Sequence, residues 1–326
     1  MKPGARNLIT DVPGLKVGNA QDWPALTGTT VVLPDEPAVG AADVRGGGPG
    51  TREIDVMDPA NLVEHIHAIC LSGGSAFGLE AAGGVMSRLA NAGRGFAIGG
   101  FHVPIVPSAI LFDLMNGGEK DWGEDPPYRE LGKLATDNAS TTFLLGNVGA
   151  GLGATAGPLK GGLGSASVVL DDGTTVGAIV AANPTGSVVM PDGRTFWAWA
   201  LEQGDEFGGN PTPTSRADGE GAVANALPGA NTTIACVATD ATLSKGQAKR
   251  VATMAHDGFA RAIRPVHTPF DGDTVFALST AKRPAPDPGS LSQIGAAAAD
   301  CLARAIARAI WEAEDIGSMR SYRNSI

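Results

Sequence analysis

The run Gly229-Ala230-Asn231-Thr232-Thr233-Ile234-Ala235-Cys236-Val237-Ala238-Thr239-Asp240 joins a small-residue, polar segment to an apolar one. At the junction stands Asn231-Thr232, with a hydroxyl residue opening what reads as a buried strand. A threonine hydroxyl is a weak nucleophile until a neighbouring base takes its proton. Were the Asn231–Thr232 peptide bond cut, Thr232 would gain an alpha-amine. Such an amine has a pKa of about 8, is partly neutral near pH 7, and is a base carried on the nucleophile itself. Residues 204 to 230 have the weakest core-forming character of the chain. A structureless loop of that length is uncommon inside a compact domain. A tail freed by scission at its end accounts for it, and so does an interdomain linker. On these residues alone, a plain strand start at Thr232 is the simpler account, because Thr is common there.

Other stretches suggest other chemistry. Gly149-Ala150-Gly151-Leu152-Gly153-Ala154 has the form of a dinucleotide-binding turn, with Asp171 and Asp172 about 20 residues on. That fingerprint needs a helix directly after the glycines, and Gly157, Pro158, Gly161, Gly162 and Gly164 oppose one. Asp271-Gly272-Asp273 could open a calcium loop, but Val275-Phe276-Ala277 supplies no ligand oxygens. His65 and His67 stand two apart and cannot share a helical face. Cys70, Cys236 and Cys301 are widely separated, the first two inside apolar runs. Buried thiols fit better than disulfides or a zinc site. Arg45-Gly46-Gly47-Gly48-Pro49-Gly50-Thr51-Arg52-Glu53 either lets backbone approach something closely or simply turns.

Composition narrows the field. With 43% hydrophobic and 18% charged residues, the 326-residue chain has the makings of a sizeable core. Its 46 glycines are dispersed, without a Gly-X-Y period. A net charge of -10 without Lys/Arg blocks disfavours nucleic acid and anionic membranes as partners. No apolar run approaches the roughly 18 residues of a membrane span, and the N-terminus lacks a signal-like apolar region. The expectation is a soluble, cytoplasmic protein.

The elements that must position these residues follow from pattern. Thr29 to Pro34 reads as a strand. Asp58 as N-cap and Pro59 at the first position predict a helix through Leu62, Val63, Ile66 and Ile69. Ser75 is expected to cap a second helix through Leu79, Val85 and Leu89. Its Gly78, Gly83 and Gly84 imply close packing on another element, taken here as a sheet. A strand and loop are expected over 99–109 and a polar surface loop over 117–127. Asp171-Asp172-Gly173 predicts a hairpin spanning 168–182, and Val188 to Met190 a further strand. After Thr232 come a strand to Asp240 and a Ser244/Gln247 capping box. The helix it opens carries Ala248, Val251, Ala255 and Ala262 on one face, with His256 packed or at the surface. A strand over 275–280 follows. A second box, Ser290/Gln293, opens a last helix through Ile294, Cys301, Leu302, Ala305, Ile306 and Ile310. Paired strands with amphipathic helices before and after imply helices on the outer faces of stacked sheets, an α+β layered domain.

Six stretches, taken in order over roughly residues 8–310, resemble one family. They are Arg45 to Glu53, Ala68 to Glu80, Gly149 to Gly164, Asn183-Pro184-Thr185-Gly186, Asn231-Thr232-Thr233-Ile234, and His267-Thr268 through Asp271-Gly272-Asp273-Thr274. The chain resembles the DmpA-type peptidases, which include L-aminopeptidase/D-esterases, beta-peptidyl aminopeptidases and the nylon-oligomer hydrolase. The Asn-Thr junction is similar to the nylon-oligomer hydrolase branch. The resemblance implies a single α+β domain, a four-layer αββα sandwich over residues 1–326. It further implies self-cleavage into a larger chain, 1–231, with a flexible tail from about 204, and a smaller chain, 232–326. It implies no metal or organic cofactor, a small amide or peptide substrate, and a homo-oligomer, a tetramer of processed protomers.

Site roles follow from the same resemblance. Thr232 is the expected nucleophile, with Asn231 on the other side of the scissile bond. Asn183 is expected to supply an oxyanion-hole amide, and Asp271 and Asp273 to position the Thr232 amine and hydroxyl. Gly73, Gly74 and Ser75 are expected at the substrate. Lys160 is a candidate catalytic lysine with one departure. Related hydrolases carry Lys directly after an Ala-Gly pair where this chain has Pro158, so a structural surface lysine is the competing reading. An acyltransferase resembling ornithine acetyltransferase and a non-catalytic small-ligand-binding protein are the alternatives to an amide hydrolase.

Overall fold

The computed structural model describes residues 1–209, 212–213 and 231–326. Its central strand is Ile234–Ala241, in which every residue is buried. Ile234, Cys236 and Ala238 pack into the space between two sheets, while Ala235, Val237 and Ala241 pack toward helices. A strand covered on both faces reads as a continuous apolar run, and this one does.

The larger sheet has seven strands, ordered Lys2–Pro3, Gly162–Val169, Thr175–Ala182, Ile234–Ala241, Thr274–Arg283, Ala38–Val44 and His65–Ile66. Ile234–Ala241 and Thr274–Arg283 are parallel neighbours. Parallel neighbours need a crossover, which helix α3 below supplies. The second sheet has five strands, ordered Leu15–Asp22, Thr27–Pro34, Ile69–Ser72, Ser108–Ile110 and Thr51–Arg52. Four α-helices are described: α1 (Glu80–Asn91), α2 (Tyr128–Asp137), α3 (Lys245–Ala262) and α4 (Pro288–Trp311). Phe259 of α3 and Leu302 of α4 share a core with Val180 and Val237 of the larger sheet. Val85 of α1 and Leu131 of α2 share another with Val31 and Cys70 of the smaller sheet. Val32, Leu71, Ile179 and Phe276 fill the space between the sheets. The result is the expected α+β, four-layer αββα sandwich.

The hairpin about Asp171-Asp172-Gly173 and the Ser244/Gln247 capping box form as expected. Several other elements differ. No α-helix follows Asp58-Pro59. The Asp58 carboxylate instead accepts the Ala60 N–H, closing a turn, and Leu62 is 93% exposed. The apolar run after it becomes Ile69–Ser72, paired on both edges inside the smaller sheet. Short apolar runs do not separate buried strand from buried helix by period alone. Ser75 is not the cap of α1. Gly74 occupies the cap of a 3-10 turn, Ser75–Leu79, and Ser75 itself has φ +51°. The glycines of α1 serve contact with α2 rather than with a sheet: a Cβ on Gly84 would lie 1.9 Å from the Arg129 carbonyl oxygen.

Helix α2 was not anticipated, and Val188 to Met190 forms only a single bridge, Val189 to Phe196. Helix α4 starts earlier than the Ser290/Gln293 pattern suggests, because Asp287 caps the Ser290 N–H with Pro288 at the first position. His256 is fully buried. Of the expected tail, residues 204–209 lie folded against the body. Phe207 is fully buried, and Glu206 pairs with the equally buried Arg304. Residues 210–211 and 214–230 lie outside the described residues.

Candidate active site

Two strand pairings bring the site together. Thr175–Ala182 runs antiparallel to Ile234–Ala241 with Ala181 opposite Ile234, so Asn183 emerges beside Thr232. Ile234 stands in register with Thr274 across the parallel pair, so Gly272 and Asp273 emerge on the other side. Thr232 is 2% exposed. Its backbone N–H donates to the Asn183 carbonyl at 2.7 Å. Its hydroxyl donates to the carbonyl oxygen of Asn231 and accepts the Gly272 N–H at 3.0 Å. The Asn231 side-chain amide donates to the Pro184 carbonyl at 3.3 Å.

The two acids hold the loop on which Gly272 rides. Asp273 accepts the Thr233 N–H at 2.9 Å on one oxygen. Its other oxygen takes the His267 backbone N–H at 3.1 Å and ring Nδ1 at 2.8 Å. Burial raises the Asp273 pKa, opposed by the hydrogen bond and charge of His267. Asp271 does not touch Thr232. It accepts the Thr185 N–H at 3.0 Å and the Thr268 hydroxyl at 2.5 Å, tying the loop to the turn after Asn183. The glycine run 46–48 closes over this loop. Gly48 N–H donates to the Asp271 carbonyl at 2.8 Å. A Cβ on Gly46 would stand 2.3 Å from Asp273 N, so a side chain there does not fit.

The Asn183 side chain is fixed at both ends. Its oxygen accepts the Thr155 N–H at 2.8 Å, and its nitrogen donates to the Phe112 carbonyl at 3.1 Å. Lys160 is not a surface residue: it is fully buried, and its ammonium donates to the carbonyls of Gly151, Ala154 and Gly161 at 2.8–2.9 Å. Thr155-Ala156 pairs with Leu159-Lys160 in a hairpin turning at Gly157-Pro158. That turn explains how Pro158 is accommodated while Lys160 points inward. Burial pushes the Lys160 pKa down to about 7, and the charge of Asp113 works against that.

Asp113 is the residue that sequence reasoning missed. It is 3% exposed and accepts the Thr27 hydroxyl at 2.6 Å and the Gly74 N–H at 2.7 Å. Burial raises its pKa against those hydrogen bonds and the charge of Lys120. Gly73, Gly74 and Ser75 therefore meet the site through Asp113 and its neighbour Phe112, with their N–H groups taken by Gly28, Asp113 and Leu111. A Cβ on Gly73 would lie 2.1 Å from Asp113 Oδ2. The only signal in the sequence was an acid directly after the apolar stretch that ends at Phe112. His267 stood inside a recognised stretch, but nothing there tied it to Asp273.

Thr232, Asn231, Asn183 and Asp273 thus share direct or one-residue contacts, while Asp271, Lys160 and the 73–75 turn form the surrounding layer. As the glycines and Pro158 suggest, the dinucleotide reading has no helix to rest on: residues 149–151 form a 3-10 turn leading into the Thr155–Lys160 hairpin. Among the described residues no cluster of His, Cys, Asp and Glu could hold a metal, and no helix is long and apolar enough to cross a membrane.

Known proteins share this architecture. The chain is 44% identical to an uncharacterized aminopeptidase of Mycobacterium leprae, over 97% of this chain and 93% of the other. It is 30% identical to a 6-aminohexanoate-oligomer endohydrolase of Kocuria sp., over 95% of this chain and 85% of the other. A beta-aminopeptidase of Burkholderia sp. superposes with a TM-score of 0.71 at 25% identity, covering 98% and 90% of the two chains. In fold alone, the L-aminopeptidase D-Ala-esterase/amidase of Ochrobactrum anthropi is similar, with a TM-score of 0.69 and 24% identity over 97% and 88% of the chains. It is described as a variant of the Ntn hydrolase fold. Residues 7–323 match Peptidase family S58, and the chain belongs to that family, the DmpA-type hydrolases of peptide and amide bonds.

Proposed function

We propose that this amide hydrolase cuts its own chain between Asn231 and Thr232, and that Thr232, as a new N-terminus, is its nucleophile. The observation that carries the reading is the contact of the Thr232 hydroxyl with the carbonyl of Asn231, the group it would attack. In the first step the hydroxyl oxygen bonds to the Asn231 carbonyl carbon, the C–N bond breaks, and the hydroxyl proton passes to the leaving nitrogen. An ester links the two residues. Water hydrolyses it, leaving a carboxylate on Asn231 and a free amine and hydroxyl on Thr232.

In turnover the Thr232 amine takes the hydroxyl proton, the oxygen attacks a substrate amide, and the proton passes to the leaving amine. Water then hydrolyses the acyl ester to release the acid and return the Thr232 hydroxyl. The Asn183 carbonyl, already on the Thr232 nitrogen at 2.7 Å, orients that amine. The Asn183 side-chain amide is the donor for the oxyanion, and the Gly272 N–H holds the attacking Thr232 oxygen at 3.0 Å. Removal of one such donor costs about 100–1,000-fold in rate. Lys160 adds positive charge behind Asn183, and the 73–75 turn borders the substrate through Asp113. The substrate is a small amide with a free amino end, in line with the relatives named as aminopeptidases and as an oligomer endohydrolase. The larger fragment is 1–231 and the smaller 232–326, within one domain, assembled as a cytoplasmic homo-oligomer.

Replacing Thr232 by Ala tests the reading: it predicts one uncut, inactive chain. Continued cutting at the same bond would end it. Acyl transfer, the second reading, is tested by adding an amine acceptor and looking for the acylated amine in place of the free acid.

A further inference from the structure

We propose that His267 is a positioning residue for the reaction, acting through Asp273. The proposal rests on the reading of Thr232 as nucleophile. Asp273 takes three donors: the Thr233 N–H on one oxygen, and both the backbone and ring nitrogens of His267 on the other. Hydrogen bonds from N–H groups favour the ionised carboxylate. With two backbone donors already on Asp273, ring Nδ1 completes the set as a third, which fixes the imidazole tautomer. Thr233 follows the nucleophile directly, so the orientation of the Thr233 N–H sets the backbone on which Thr232 presents its amine and hydroxyl.

The backbone at His267 is committed to this contact. Its φ is +54°, a left-handed conformation uncommon outside glycine and one in which Asn, Asp and His are the enriched side chains. Both its N–H and its ring turn toward the same Asp273 oxygen. The outer side of the ring meets His256 of α3, with ring centroids 4.9 Å apart. His256 Nε2 in turn donates to the Asp43 backbone oxygen at 2.9 Å and stands 3.5 Å from its carboxylate. Asp43 is held by Arg45 at 2.9 Å and Lys249 at 2.7 Å. Among the described residues the charged and titratable groups around the His267–Asp273 pair are therefore Asp271, His256, Asp43, Arg45 and Lys249, joined after scission by the Thr232 amine, which must lose its proton in the same acid limb. His256 is kept neutral, because burial pulls its pKa down to about 4. Among the described residues, the His267 ring gives Asp273 its one side-chain hydrogen bond.

The sign of the effect follows. Burial favours the protonated Asp273, and His267 opposes it. Without the ring donor Asp273 protonates at higher pH, and the Thr233 N–H loses its carboxylate acceptor there. The experiment compares His267→Ala, His267→Asn and His267→Gln with the unaltered protein, by kcat/KM against pH with an aminoacyl anilide. Asparagine carries an amide N–H close to the place of Nδ1 and tolerates the left-handed backbone. Glutamine reaches past that place. The expected result is an acid limb moved up by about one pH unit or more in the Ala and Gln variants. The Asn variant should keep the limb where it is and stay within about threefold of full activity. Equal limbs in all four proteins, or an Asn variant no better than Ala, overturns the proposal. Thr232→Ala serves as the companion control. Activity surviving in that variant removes the nucleophile reading, and this proposal with it. Thr232-dependent activity with an unmoved limb in His267→Ala removes this proposal alone.

Discussion

The carbonyl of Asn183 accepts the backbone N–H of Thr232 at 2.7 Å, and the side chain of the same Asn183 is pinned at 2.8 Å by Thr155 and at 3.1 Å by Phe112. One residue thereby contacts the nitrogen that the proposed cut would free, while its own side-chain amide is held rigid. Electrostatic stabilisation of this kind works because the donor does not need to reorganise as charge develops. Asn183→Ala should lower kcat by about 100–1,000-fold with a smaller effect on KM, the pattern of an interaction made in the transition state. Steady-state kinetics, with a melting curve to confirm folding, check this. A KM effect without a kcat effect would place Asn183 in ground-state binding instead.

Gly272 supplies the N–H on the Thr232 hydroxyl, and there is no room beside it. A Cβ there would lie 2.7 Å from the Gly48 carbonyl oxygen and 2.8 Å from the Thr232 hydroxyl oxygen. Gly272→Ala must push the hydroxyl aside. A misplacement of about 1 Å in a reacting group costs on the order of a hundredfold. Self-cutting, followed on a denaturing gel over time, should slow by about that factor, with turnover falling in parallel.

Lys160 is a buried amine on three carbonyls, with the charge of Asp113 favouring its protonated form and burial opposing it. Lys160→Met leaves those buried carbonyls without their donor. Leaving a buried acceptor unsatisfied costs about 1–3 kcal/mol. The pH dependence has a definite sign. The folded-state pKa is lowered to about 7 from 10.5, so between those values the unfolded chain binds the extra proton. Stability of the unaltered protein from this group therefore rises as pH goes from about 7 toward 10. Chemical denaturation at several pH values should show that rise in the unaltered protein and its loss in Lys160→Met.

Glu206 and Arg304 sit on opposite sides of the proposed cut, with Arg304 fully buried. Their pair, joined by Asn7 and by Arg308, ties residues of the larger fragment to α4 of the smaller one. Glu206→Gln should cost about 3–5 kcal/mol by leaving Arg304 without its counter-charge. Thermal unfolding checks this, and scission should still occur, because Glu206 does not touch Thr232.

The layered fold was legible where burial writes a simple pattern. Ile234 to Asp240 reads as a strand because both faces are covered, and Ser244 with Gln247 marks the start of α3 unambiguously. It was illegible where a short apolar run decides alone. Ala68 to Leu71 suits a buried helix as well as the central strand it becomes, and only its two sheet neighbours settle the matter. The convergence of the candidate site was legible through the Asn231-Thr232 junction and the Asp271-Gly272-Asp273 turn, since both abut strands whose register brings them together. Asp113 stayed hidden because its partners, Thr27 and Gly74, are remote in sequence. Lys160 admitted a surface reading because Pro158 stands where related hydrolases carry their Lys, and the Gly157-Pro158 hairpin that turns Lys160 inward is a tertiary fact.

The mass of the purified protein under denaturing conditions tests the central claim most directly. The unaltered chain should yield two polypeptides, one beginning at Thr232 and ending at Ile326, and the Thr232→Ala variant a single full-length one. A fully active preparation containing only the unbroken 326-residue chain would contradict the account.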